Sequence, residues 1–193
     1  MARPSKLNRE ELLDRALPVF WRHGLDGTTI DMLEDATGLG RQSIYHQYAD
    51  KAALHREVQV RYRELTDGLL VALARSDADL TTVAAFFRQA RQVMAQVGSR
   101  MCMAAKTVAD MPTDLVVRET SCATAKAVRD AFQVICSRLA VQGRLRADLP
   151  PAEAADLLWV VGNGAAALSA LEDDAAAERI IRRAISLVES SVT

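Results

Sequence analysis

Cysteine is scarce in this 193-residue chain, and its three copies, Cys102, Cys122 and Cys136, form no C-x-x-C pair. An odd set at such spacing excludes a disulfide framework and reads as reduced thiols. Aromatic residues make up only 5%, and no segment alternates apolar and polar residues as a half-buried strand does, which points to an all-α fold. No apolar run reaches the roughly 20 residues a membrane span needs. The opening MARPSKLNREELL puts Glu10 and Glu11 where a signal peptide has its apolar stretch. The expectation is a cytoplasmic protein with no membrane partner. Histidine is as scarce as cysteine: His23, His46 and His55 all lie in the front third. With no H-E-x-x-H, P-loop or G-x-S-x-G and no zinc-like spacing, no catalytic residue, metal or cofactor is nominated, and the chain reads as no enzyme.

An excess of either charge is missing too: 24 Lys and Arg meet 25 Asp and Glu, a net charge of −1. That balance hides a local asymmetry. Arg3, Lys6 and Arg9 open the chain without an acid, and Arg41, Lys51, Arg56, Arg61 and Arg63 face only Asp50 and Glu57 across residues 36–63. Local charge therefore permits a nucleic-acid partner where the total says nothing. Half the residues are apolar and a quarter charged, ordinary for a globular chain.

What is present is helical periodicity. Leu12, Leu13, Ala16, Leu17 and Phe20 mark a first helix from about Asn8 to His23, with Asn8 as N-cap, Glu10 and Glu11 in the first turn and Gly24 as its stop. Pro18 predicts a local kink, since an interior proline costs about 3 kcal/mol. A second helix is expected from Thr28, with Asp31 at the reciprocal capping-box position, through Ile30, Leu33 and Ala36. A third runs from about Gly40 to Tyr48. Asp50 caps a long fourth helix over about 51–75. The short Thr37-Gly38-Leu39 break between the second and third has the layout of a helix-turn-helix. Behind it, apolar positions recur through Leu80–Val97, Met101–Ala109, Leu115–Val141, Ala152–Leu171 and Ala175–Val188. The breaks between them suit short helix–helix connections. About nine helices result, divided into a front domain over 1–50 and a bundle over 51–193, joined by the fourth helix.

The stretch GLGRQSIYHQYADK (38–51) carries the function. Ile44 and Tyr48 share one face of the third helix, with Leu39 ahead of them, and can pack on Phe20, Ile30 and Leu33. Arg41, Gln42, Ser43, Tyr45 and His46 fall to the other faces. Arginine can pair bidentately with guanine and glutamine with adenine, while tyrosine and histidine at a helix flank reach phosphates. Helix N-termini at Thr28 and Lys51 also suit a phosphate oxygen.

Residues 10–55 closely resemble the DNA-binding domain of TetR-family transcriptional regulators. The resemblance rests on "ALxxFxxxG" in the first helix, "TTIxxLxxxTGL", and the aromatic "xxxIYxxYxxKxxL" close. It implies that the third helix enters the major groove, and that Thr29, Arg41, Gln42, Ser43, Tyr45, His46 and Lys51 face DNA, with Thr28 beside them. Gly40 stands where the family usually has a capping serine or threonine, and Gln42 where glycine or alanine is frequent.

The resemblance also implies a homodimeric repressor released from a palindromic operator in double-stranded DNA by a small-molecule effector. Phe86, Phe87, Arg91, Met94, Met101, Cys102, Met103, Met111, Trp159 and Asn163 are candidates for the effector pocket, although methionines and aromatics at this spacing also build plain core. Ala166, Leu168, Leu171, Ile181, Ile185 and Val188, on the last two helices, are candidates for the dimer interface. In the alternative reading the chain senses oxidants, electrophiles or copper through Cys102, which resembles a subgroup with a cysteine opening the sixth helix and has Arg100 and Lys106 near it in sequence. Free cysteine is also a common small core residue.

Overall fold

The computed structural model describes residues 7–99, 101–110, 114–171 and 173–190. Arg3, Lys6, Arg100 and Met111, singled out above, lie outside the described residues. Among the described residues the chain is nine helices, joined by short connections, with no extended strand.

The front end is built by α1 (Arg9–Gly27), α2 (Ile30–Thr37), α3 (Arg41–Gln47) and α4 (Lys51–Leu73). Asn8 and Glu11 close a capping box: the Glu11 N–H donates to Asn8 Oδ1 at 2.8 Å, and the Asn8 N–H to Glu11 Oε2 at 3.0 Å. Helical backbone continues through Pro18, so the expected kink falls elsewhere. It lies at Gly24, whose φ of 68° breaks α1 before a last short turn. A left-handed residue there is inexpensive because glycine has no Cβ.

The capping of α2 also differs from expectation. Thr29, not Thr28, accepts the Met32 N–H at 3.2 Å. Thr28 is buried with its hydroxyl turned back to Gly24 O at 2.6 Å, and Asp31 instead pairs with Arg41 at 3.3 Å. Asp50 caps α4 as expected, accepting the Ala53 N–H at 2.6 Å.

The remainder comprises α5 (Leu80–Gln96), α6 (Met103–Ala109), α7 (Leu115–Val141), α8 (Pro151–Ala170) and α9 (Asp174–Val188). Asp79, Asp114 and Asp173 cap α5, α7 and α9. Two apolar cores form. One joins Leu12, Leu17, Phe20, Trp21, Leu33, Ile44, Leu54 and Val58 to Met94, Met103, Ala104 and Ala166 from the bundle. The other packs α5, α7, α8 and α9 around Phe132, Ile135, Leu139, Leu158, Ile181 and Val188. The front core thus reaches past α4 into α5, α6 and α8, so the short helices of the front end rest on the bundle.

Candidate functional site

The α2–turn–α3 unit is held from below and left open above. Leu33 and Ile44 are almost wholly buried and Tyr48 nearly so. The turn depends on backbone chemistry. Gly38 adopts φ 71° and its N–H donates to Glu34 O at 2.7 Å, closing α2. Thr37 Oγ1 donates to Leu33 O at 2.6 Å and accepts the Leu39 N–H at 3.2 Å. Gly40 gives α3 no side-chain cap. Glu34 supplies one from the neighbouring helix: its Oε1 accepts the Arg41 N–H at 2.6 Å. A carboxylate at a helix N-terminus also meets the favourable end of the peptide dipoles.

Arg41, Gln42, Ser43, Tyr45 and His46 are all exposed on α3, and Thr29 is exposed at the head of α2. Gln42, Ser43, His46 and Gln47 line one shallow depression with Leu7 and Leu39. Two of the expected DNA-facing residues are placed otherwise. Thr28 is 1% exposed. The half-buried Lys51 turns its Nζ inward to Thr28 O at 2.6 Å. Together they brace the start of α4 against the approach to α2, because a buried carbonyl and an ammonium each need a partner.

The support is tied to the bundle by polar contacts. Arg56 Nε donates to Asp114 Oδ2 at 2.7 Å, and Asp114 also caps α7. Trp21 Nε1 donates to Met101 O at 2.6 Å. Beneath them lies a buried polar chain: Gln59 Nε2 meets Thr107 Oγ1 and His55 Nε2, both at 3.1 Å, and Ser121 Oγ lies 3.4 Å from Gln59 Oε1. His55 is buried against the Phe20 ring. Burial lowers its pKa to about 4, with nearby Asp and Lys charges of both signs acting less strongly, so it is neutral near pH 7.

An apolar cavity of about 90 Å³ lies where the two cores meet. Trp21 and Tyr62 reach it from α1 and α4, and Phe86, Phe87, Phe132, Trp159 and Ile181 from the bundle. Of the residues expected in an effector pocket, Phe86, Phe87, Arg91, Met94, Cys102, Trp159 and Asn163 line it. Met101 and Met103 do not. Met101 is exposed and uses its carbonyl on Trp21, and Met103 is consumed by the front core. Tyr62, which sequence reasoning missed, places its Oη 3.2 Å from Cys102 Sγ. Its phenol pKa is pushed up, first by burial and then by that thiol. Lys106 pairs with Asp110 at 3.8 Å.

The expected dimer surface needs correction. Ala166, Ile181 and Val188 are buried inside the monomer, and Leu168 and Ile185 pack partly on the same core. Only Leu171, 77% exposed, remains outside. The outward apolar stripe of α8 is instead Leu157, Val160 and Gly164, three or four residues apart, with Leu171 exposed at the helix's C-cap and Ile180 and Leu187 exposed on α9.

Residues 12–58 match the family of bacterial regulatory proteins named for TetR, in its N-terminal domain. The HTH-type transcriptional repressor ComR of Escherichia coli is 37% identical over 60 residues, which are 31% of this chain and 29% of that protein. The match thus spans under a third of the relative's length. Over nearly the whole chain the fold resembles a TetR-family transcriptional regulator from Agrobacterium tumefaciens, with a TM-score of 0.83 and 20% identity over 94% of this chain and 97% of that one. It also resembles the regulator CifR, solved as a cysteine mutant complexed with 26 bp double-strand operator DNA, with a TM-score of 0.78 and 21% identity over 97% of this chain and 100% of that one. At such identities the likeness is one of fold.

Proposed function

From the premise that residues 12–58 give this chain the N-terminal domain of the TetR family, we propose that it is a homodimeric repressor that binds a palindromic operator and leaves it when a small molecule fills the cavity. Residues 1–50 serve as the reading head and 51–193 as the effector and dimer domain. The carrying observation is the exposed face of α3: Gln42, Ser43 and His46 stand free in one depression while Ile44 is buried beneath them. A short helix buried on one side, polar on the other and opened by a tight turn suits entry into a major groove. Arg41 and Gln42 are the base-reading candidates, and Thr29, Tyr45 and His46 the phosphate-reaching ones. Such a protein works in the cytoplasm, beside its DNA.

The cavity supports the release step because its wall draws on both cores. A molecule there touches Trp21 and Tyr62 on the elements beneath α3 and Phe132 and Trp159 in the bundle. It moves the equilibrium only insofar as it binds two arrangements unequally. Pairing through the outward stripe of α8 and α9 sets two reading heads roughly 34–36 Å apart, or at a multiple, on a two-fold site.

A gel-shift titration on the DNA flanking its own gene tests this reading, at low salt and with dimer verified. The expected result is a discrete shifted species that resists nonspecific competitor. Absence of any such site overturns the proposal.

A second reading keeps the fold and makes Cys102 the sensor, favoured by its thiol lying on the cavity wall against Tyr62 Oη. Among the described residues no three His, Cys, Asp or Glu side chains gather as a metal site, so the observation favours an electrophile over copper. Unchanged DNA release by an electrophile in Cys102→Ser removes this reading.

A further inference from the structure

Among the described residues the cavity wall carries one charged side chain, Arg91 on α5. Its Nη2 donates to Glu178 Oε2 on α9 at 2.6 Å, while its Nη1 is buried and meets no acceptor among the described residues. A guanidinium offers donors only, so the partner that Nη1 lacks is a hydrogen-bond acceptor. Glu178 already balances the charge of Arg91. A ligand carboxylate would be a second anion on one cation, taken out of water beside the first, and desolvated like charges repel. A neutral oxygen completes the guanidinium without that penalty.

The rest of the wall fixes the shape. Phe86, Phe87 and Phe132 meet edge to face with centroids 5.4–5.8 Å apart, an arrangement that extends readily to a further ring. The volume of about 90 Å³ is below the roughly 150 Å³ of an apolar cavity that holds benzene. A compact ligand therefore suits the space, and a ring enters only by displacing a side chain such as Phe87.

Resting on the reading of this cavity as the effector site, we propose that its ligand is a neutral single-ring carbonyl compound whose oxygen accepts from Arg91 Nη1 and whose ring packs among Phe86, Phe87 and Phe132. Asn163 gives one of its two Nδ2 hydrogens to Trp159 O at 2.9 Å and is a neutral donor, so the charged Arg91 is the stronger donor to the oxygen.

Calorimetric titration of the full chain with acetophenone, benzoate and cumene tests this, since the three share one ring and the same number of non-hydrogen atoms. Acetophenone is expected to bind at least about tenfold tighter than either of the others. In Arg91→Met it falls to the level of cumene. Should that variant fail to fold, Glu178→Gln decides, because unbalancing Arg91 raises benzoate affinity about tenfold. Equal binding of the three, benzoate tightest on the unaltered chain, or no saturable binding overturns the proposal. Operator release in a parallel gel shift is a separate readout. Selective acetophenone binding without release supports the ligand chemistry and removes only the effector reading beneath it.

Discussion

Glu34 on α2 holds the first N–H of α3, with its Oε1 2.6 Å from the Arg41 nitrogen. That contact compensates for Gly40, which supplies no side-chain cap. Loss of a helix cap costs about 1 kcal/mol. Glu34→Ala is therefore expected to lower unfolding stability by about that amount and to weaken operator binding, while Glu34→Gln, which keeps the acceptor oxygen, stays near the parent. Urea melts of both variants check this, and equal losses would contradict the capping role.

Lys51 makes an internal contact where a phosphate contact was expected. Its amine is bound to Thr28 O at 2.6 Å, so Lys51→Met should loosen the front end by about 1–2 kcal/mol. The salt dependence of operator binding should stay the same. A loss of about 1 in that slope on substitution would return Lys51 to the phosphate-binding set.

These two cases show what the sequence made legible and what it did not. The bounds of α7 were readable because apolar positions recur without interruption through Leu115–Val141, and the structure closes that run with an Asp114 cap. Ile44 and Tyr48 were readable because four-residue spacing fixes a shared face. Thr28 and Thr29 are equally good caps by type, and only the backbone reversal at Gly24 and the reach of Lys51 decide between them. The apolar residues of α8 surround the helix, so periodicity alone could not sort Val160, which faces out, from Leu158, which faces in. On α9 the stripe is clear, but the monomer's own core consumes it through Ile181, Ala184 and Val188.

His55 gives the fold a calculable response to acid. Its imidazole titrates near 6.5 when unfolded and at about 4 when folded, because burial resists the charged form. The unfolded chain takes up the proton first. The stability it contributes is present above about pH 6.5 and is lost as pH falls toward about 4, by up to roughly 3 kcal/mol. His55→Gln keeps a partner for Gln59 and cannot titrate. Its stability should fall less steeply than the parent's across that window, and parallel curves in chemical denaturation at each pH would refute the assignment.

Gly162 sets how closely α8 approaches the cavity. A Cβ there would overlap Phe87 Cε1, so Gly162→Ala must displace that ring. Alanine gains about 1 kcal/mol in helix propensity, while overpacking costs about 1–3 kcal/mol. A net destabilisation of about 1 kcal/mol is expected, with a changed near-ultraviolet dichroism from the Phe86–Phe87–Phe132 group and altered ligand affinity. A variant with unchanged stability and spectrum would mean that the ring moves aside at no cost.

The dimer proposal makes opposite demands on residues only a few positions apart. Val160 is 59% exposed on α8, Leu171 is exposed at that helix's C-cap, and Ile181 on α9 is 3% exposed within the monomer core. A charge on an outward apolar position opposes burial against a second copy but not folding of the first. Val160→Glu is therefore expected to sediment as a helical, cooperatively melting monomer that has lost high-affinity binding to a two-half-site operator. Ile181→Ala should instead destabilise the fold by about 2–5 kcal/mol through the cavity it leaves. Sedimentation velocity and thermal melts of the pair separate the two roles. A dimer that persists in Val160→Glu and in Leu171→Glu would place the two-fold contact on another face.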